Sequence, residues 1–213
     1  MALIKKSAAP RNPAKDERAG ARDFDGLTRQ LDEDDATARR WAARDLAVHA
    51  SASAALVTRL QRENDVSVRE VILTSLMRIA DPAAIDGLVA CLRSEDANLR
   101  NEAIEAMKSL PLEVAPIMRG LLGDQDPDVR IFAVNILESL RHPDVEAWLV
   151  EVIEREPMVN VCGTALDLLS EVGSKASHEA LERLKTRFAS EPYIQFAADL
   201  ALKRTAPVSD AQK

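Results

Sequence analysis

Apolar residues recur along this chain at three- and four-residue spacings, broken by short polar or proline-bearing segments. Leu56 and Leu60 form one such stripe, and Ile85, Leu88 and Leu92 another. Val114, Met118 and Leu122 follow, then Val145, Trp148, Leu149 and Val152, then Leu181, Leu184 and Phe188. That spacing predicts amphipathic helices. No Val/Ile/Thr alternation predicts a strand.

Between these stripes lies a second pattern. Asp35-Ala-Thr-Ala-Arg39, Asp65-Val-Ser-Val-Arg69, Asp96-Ala-Asn-Leu-Arg100 and Asp126-Pro-Asp-Val-Arg130 share an Asp, an apolar residue and an Arg at fixed offsets. Each carries an Ala or Ile three residues after the Arg and a Leu or Met seven after it. The arginines are 30, 31 and 30 residues apart. A fixed period of this size predicts a stacked repeat protein. The pattern continues in weaker form. Val161, Cys162, Ala165 and Leu169 fill a fifth set of slots, and Ile194, Gln195, Ala198 and Leu202 a sixth. The Arg-slot intervals there are 32 and 33, which predicts small loop insertions near residues 155 and 187.

Each marked helix follows a striped one, so the unit is a helix–turn–helix pair. One pair cannot bury its own apolar face, and the pairs must stack. Pro82, Pro111 and Pro143 stand where new helices should begin, since proline suits a first helical position. The repeated Asp, like Asp81, is placed to cap a helix N-terminus. Asp144 and Glu146 suit such an end electrostatically. Gly173 is placed as a C-cap.

The string from Asp126 to Leu137, D-P-x-V-R-x-x-A-x-x-x-L, resembles HEAT repeats, above all the short bacterial type of the phycobilin lyases. The resemblance spans residues 24–204. It implies an all-α fold: a right-handed, armadillo-like α-solenoid of about six repeats. It also implies a protein-binding module. The same family includes chromophore lyase subunits, deoxyhypusine hydroxylase and DNA glycosylases.

Charge narrows the function. The net charge is −7, yet residues 1–23 carry six Lys/Arg against three Asp/Glu, which leaves −10 on residues 24–213. An acidic body lacks a nucleic-acid footprint. Residues 1–23, with Pro10 and Pro13 and no apolar period, read as a disordered basic tail, and residues 205–213 as a second tail. No apolar run reaches the roughly 18 residues a membrane span needs. Without a secretory apolar segment the expected location is cytoplasmic. Cys91 and Cys162 lack CxxC spacing and read as small core residues. His49, His142 and His178 form no metal-ligand motif, and the single His178-Glu179 pair does not match the several pairs of deoxyhypusine hydroxylase. No phosphate loop or nucleophile motif is present. Neither a catalytic site, a cofactor nor a metal is expected.

The Asp–Arg pairs read as a structural ladder, each Arg reaching a carboxylate or carbonyl of the adjacent repeat. Arg100 should therefore bridge repeats, with Arg93 as an idle control. Met158 and Cys162 break the ladder. They mark either repeat drift, in which case restoring Asp and Arg is tolerated, or an apolar seam with a thiol at its base.

By the resemblance, the second helices line the concave surface. If positions just before, three after and seven after the Arg face the core, positions one, five and eight after it face outward. Those columns hold Arg40 and Arg44, Glu70 and Thr74, then Asn101, Glu105 and Lys108. They continue with Ile131, Asn135 and Glu138, then Gly163 and Asp167. Trp41, Glu102 and Phe132 fall at their edge. The candidate partner-binding residues are Arg40, Trp41, Arg44, Glu70, Glu102, Glu105, Ile131, Phe132 and Asn135. The expected function is a non-catalytic scaffold or adaptor that binds a protein partner there. The alternative, a tetrapyrrole-handling accessory protein like the lyases, would need a pocket that no residue identifies.

Overall fold

The computed structural model describes residues 21–205 and is helical, with no strand among those residues. The proposed tails lie outside the described residues, except for 21–23 and 205. Six helix pairs follow one another. The first two belong to a compact body ending at Ile79, and the other four to a second body beginning at Ala80.

In the first body, α1 (Phe24–Gln30) pairs with α2 (Ala36–Leu46), and α3 (Ser53–Leu60) with α4 (Val66–Ile79). Leu46, Leu56, Leu60, Ile72 and Leu76 have no accessible surface. Burying each such side chain contributes about 1.5–3 kcal/mol, which is what holds α2 and α3 against α4. Ser75 on α4 donates its hydroxyl to the Ala43 carbonyl at 2.9 Å, which satisfies that buried group and ties α4 to α2.

The second body contains α5 (Pro82–Cys91) with α6 (Ala97–Lys108), α7 (Pro111–Leu122) with α8 (Pro127–Leu137), α9 (Val145–Arg155) with α10 (Val159–Val172), and α11 (His178–Arg187) with α12 (Pro192–Arg204). Second helices pack on second helices, α6 on α8, α8 on α10 and α10 on α12, while first helices α5, α7, α9 and α11 pack in a parallel layer. The apolar stripes meet between the layers. Leu88, Val114, Met118, Leu149, Val161, Leu169 and Leu181 are completely buried. The solenoid class anticipated from the repeat is the one observed.

Caps fix where helices begin. Asp35, Asp65, Asp96 and Asp126 accept backbone N–H bonds from Thr37, Ser67, Asn98 and Asp128 at 2.8–3.0 Å. Asp23 and Asp81 do the same for Gly26 and Ala84, both at 2.8 Å. Pro82 and Pro111 are first helical residues, whereas Pro143 stands before the helix that opens at Val145. Gly173 is the C-cap of α10, and a Cβ there would meet the Leu169 carbonyl oxygen at 2.4 Å. The extra residues of the last two intervals are not where spacing placed them. The α9–α10 turn is short, 156–158, and the added length lies between pairs, at 138–144 and 173–177. Ala80 follows α4 with φ 49°. That left-handed conformation costs a side-chain-bearing residue about 1–2 kcal/mol, partly offset by glycine's entropy when Gly replaces it. Ala80→Gly should therefore raise the urea midpoint slightly, by no more than about 1 kcal/mol of stability.

Among the described residues no helix is long and apolar enough to cross a membrane, and no group of three or more His, Cys, Asp or Glu could hold a metal. His178 contacts the Thr205 hydroxyl at 2.8 Å, an anchor for the end of α12.

Candidate functional site

The ladder comes first, because it sets the second helices in place. Arg39 is buried. Its Nε and Nη2 donate to both oxygens of Glu63 at 2.8 and 2.9 Å, and Nη1 donates to the carbonyls of Glu33 and Asp34 at 2.9 and 2.8 Å. Arg130 repeats this geometry with Glu156, at 2.6 and 2.9 Å, and with the carbonyls of Asp124 and Gln125. The guanidinium thus ties its own turn to a carboxylate in the next pair. Glu63 and Glu156 also cap the turns they stand in, through the N–H groups of Asp65 and Met158. Burial alone would push the Glu63 carboxyl up. The hydrogen bond from Arg39, the Asp65 N–H and the bond from Arg59 overcome it and hold the carboxyl at about 2.

Arg100 departs from the expectation. Its Nη1 donates to the Ser94 carbonyl of its own turn at 2.6 Å, and its guanidinium lies 6.0 Å from the Phe132 ring of the next pair. The carboxylate in register, Asp124, is one methylene shorter than Glu63 or Glu156 and pairs with Arg93. Arg93, although 45 % exposed at its side chain, is therefore no idle control.

At the break, Met158 is 45 % exposed. Cys162 is completely buried, and the place of the missing guanidinium is taken by Arg187 from the end of α11. Arg187 donates to the carbonyls of Ile153 at 2.6 Å and Glu156 at 2.9 Å and to that of Glu154, and it reaches the Cys162 sulfur at 3.8 Å. Burial pushes the Cys162 thiol up to about 11, against the pull of Arg187, which disfavours the thiolate. In the sixth pair Gln195 does the work of the Arg, donating to the carbonyls of Lys185 and Phe188 at 2.8 and 3.0 Å.

The outward columns follow helical geometry with one exception. In the first body, Arg44 and Glu70 are exposed, Arg40 and Trp41 half-buried, and the Arg44 guanidinium lies 5.3 Å from the Trp41 ring. In the second body, Glu105 is exposed, and Glu102, Ile131, Phe132 and Asn135 are half-buried. Lys108 links α6 to α8, with Glu105 and Glu138 both at 3.2 Å. Gly163 is buried rather than outward. The Tyr193 ring covers it, and a Cβ at Gly163 would stand 2.6 Å from that ring. The Tyr193 hydroxyl donates to the Asp167 carboxylate at 3.0 Å.

Two residues were missed. Phe196 is 69 % exposed and Tyr193 49 %. Phe196 sits one residue after Gln195, in the same column as Arg40 and Ile131, and extending the columns by one repeat would have found it. Beside them a cleft of about 190 Å³ lies between α8 and α10, lined by Asn135, Glu138, Thr164, Asp167 and Glu171 over Val134 and Leu168. Larger clefts, of about 410 and 510 Å³, lie on the first-helix side around α7 and α9. Trp148 lines both, stacked on His142 at 4.9 Å. The exposed Leu112 borders the larger of the two.

The family model for HEAT repeats matches residues 24–108 and 114–203. Among solved structures, the TOG3 domain of Drosophila melanogaster Mini spindles is similar at a TM-score of 0.55 and 16 % identity, over 85 % of this chain and 95 % of that one. An archaeal HEAT-like repeat protein from Thermococcus onnurineus gives a TM-score of 0.47 at 17 % identity, covering 84 % of this chain and 85 % of its own. A phycocyanin lyase complex from Nostoc gives 0.35 at 17 % identity, over 96 % and 100 %, too distant to bear on the tetrapyrrole alternative. No curated protein matches the chain.

Proposed function

Because the chain belongs to the HEAT-repeat family, we propose that it is a non-catalytic interaction scaffold whose second helices present the surface that a protein partner contacts. The observation that carries this reading is the exposed aromatic pair Tyr193 and Phe196 on α12. Elsewhere the large apolar side chains of the second helices are mostly buried between layers, where they hold the fold. An aromatic side chain left in water beside charged neighbours costs stability and is the usual anchor of a protein interface. In the second body the outward columns supply polar groups on rigid helices, Asn135 and Glu105; the first body, taken by itself, carries Arg40 and Arg44 in its own columns. Buried arginine ladders keep those helices in register, so little ordering is needed on binding.

The test starts from a partner captured with the intact chain. Arg40→Glu with Arg44→Glu, and separately Ile131→Asp, should each weaken that partner about tenfold, or about 1.4 kcal/mol. The charge reversal should act mainly through association rate and salt dependence. Circular dichroism should stay helical. A partner held with wild-type affinity by both variants would rule out the second-helix face as the contact.

A further inference from the structure

We propose that the α10–α12 end of the second-helix face docks a basic segment of a partner protein that carries one aromatic or large aliphatic side chain. This rests on the scaffold reading and names the chemistry of its partner.

The apolar half of the site is Pro192, Phe196 and Leu200, which follow one another at four-residue spacing and so form a stripe along α12. Phe196 and Pro192 are exposed, and Leu200 is half-buried. Tyr193 extends the stripe toward α10, its ring laid over Gly163 and its hydroxyl fixed on Asp167. The glycine has a reason to be there: any side chain would displace the ring. A flat aromatic edge held this way needs no reordering to receive an apolar side chain.

The charged half is the neighbouring α8–α10 cleft. Glu138, Asp167 and Glu171 line it, with Asn135 and Thr164 between them, and no Lys or Arg does. One cation, Lys108, reaches Glu138 from the α6 side. Asp199, also on α12, is taken by Lys185 at 2.5 Å; at the end of that helix Arg204 donates to the Ser170 hydroxyl on α10 at 3.2 Å, next to Glu171, which makes it a second cation at the rim of the cleft. The cleft therefore repels an acidic chain and accepts a Lys or Arg side chain, whose stem can lie on the Tyr193 ring. An apolar anchor flanked by cations satisfies both halves at once. An acidic or purely apolar segment satisfies at most one.

The experiment uses the full chain and fluorescence anisotropy. The probe is a short fluorescein-labelled Lys/Arg-rich peptide with one central Phe. Its controls are the same peptide with Phe→Ala and a version with every Lys and Arg replaced by Glu. The basic, Phe-bearing peptide should bind, should bind about tenfold more weakly without its Phe, and should weaken as salt rises. The acidic peptide should not bind. Phe196→Ala and Asp167→Asn with Glu171→Gln should each weaken the basic peptide about tenfold, with Leu112→Ala, on the first-helix side, unchanged. Gly163→Ala, which pushes the Tyr193 ring aside, should weaken it without removing any contact residue.

Absence of binding by the basic peptide, equal binding of the acidic one, or wild-type affinity in Phe196→Ala would overturn the proposal. If the captured partner still responds to Ile131→Asp in that case, the scaffold reading stands and only the basic-segment chemistry falls. If neither responds, both fall.

Discussion

Glu63→Ala should destabilise the protein by roughly 3–5 kcal/mol, the cost of stripping one partner from a buried ion pair and stranding the other. Arg39 would keep its two carbonyl bonds but lose both carboxylate oxygens, and Arg59 would lose its own bond to Glu63. The N–H groups of Asn64 and Asp65 would lose their acceptor too. A control at exposed Arg141, which has no ion pair among the described residues, should stay within about 0.5 kcal/mol as Arg141→Ala. Urea melts of both variants decide the matter, and equal midpoints would remove the ladder from the account. The same carboxylate gives a pH signature. Its native value, about 2, lies below the ordinary 4.5, so its contribution is complete above 4.5 and is lost as pH falls through 2. Glu63→Gln should flatten the stability profile in that window. An acid limb identical to wild type would show that Glu63 does not set it.

The second large effect concerns the break in the fifth repeat. Met158→Asp with Cys162→Arg restores the repeat consensus on paper, yet it should destabilise by roughly 1–3 kcal/mol, because it overfills a site that Arg187 already occupies. Arg187→Ala alone should cost a similar amount, roughly 1–3 kcal/mol, by leaving the carbonyls of Ile153 and Glu156 short of a donor. Combining all three substitutions exchanges one guanidinium for another. The triple variant should regain most of the loss, a coupling that a double-mutant cycle reads directly. Tolerance of the consensus pair with Arg187 still present would mean that Arg187 is not the replacement.

These two sites show what the amino-acid sequence makes legible. The six helix pairs could be read because their signals are local: an Asp cap, an apolar stripe, an Arg at a fixed offset. The ladder's partners could not, because each lies in the next repeat. Glu63 and Glu156 stand two residues before the cap position, but so do Ser94, which has a hydroxyl and no carboxylate, and Asp124, whose carboxylate is one methylene shorter. Arg187 is farther still from the gap it fills. Cys162 reads as a loss from its own repeat, and nothing nearby announces a guanidinium arriving from the following helix. The outward columns were legible from helical geometry alone, apart from Gly163. There the decisive neighbour was Tyr193, on another helix. Phe196 lay in plain view of the same rule one repeat further on.

Hydroxyl-radical footprinting of the full chain, alone and with its captured partner, tests the central claim most directly. Phe196 and Tyr193 report the second-helix face, and Leu112, 83 % exposed on α7, reports the first-helix side. The partner should protect Phe196 and Tyr193 from oxidation and leave Leu112 as reactive as before. Protection of Leu112 with Phe196 and Tyr193 still fully reactive would contradict that claim.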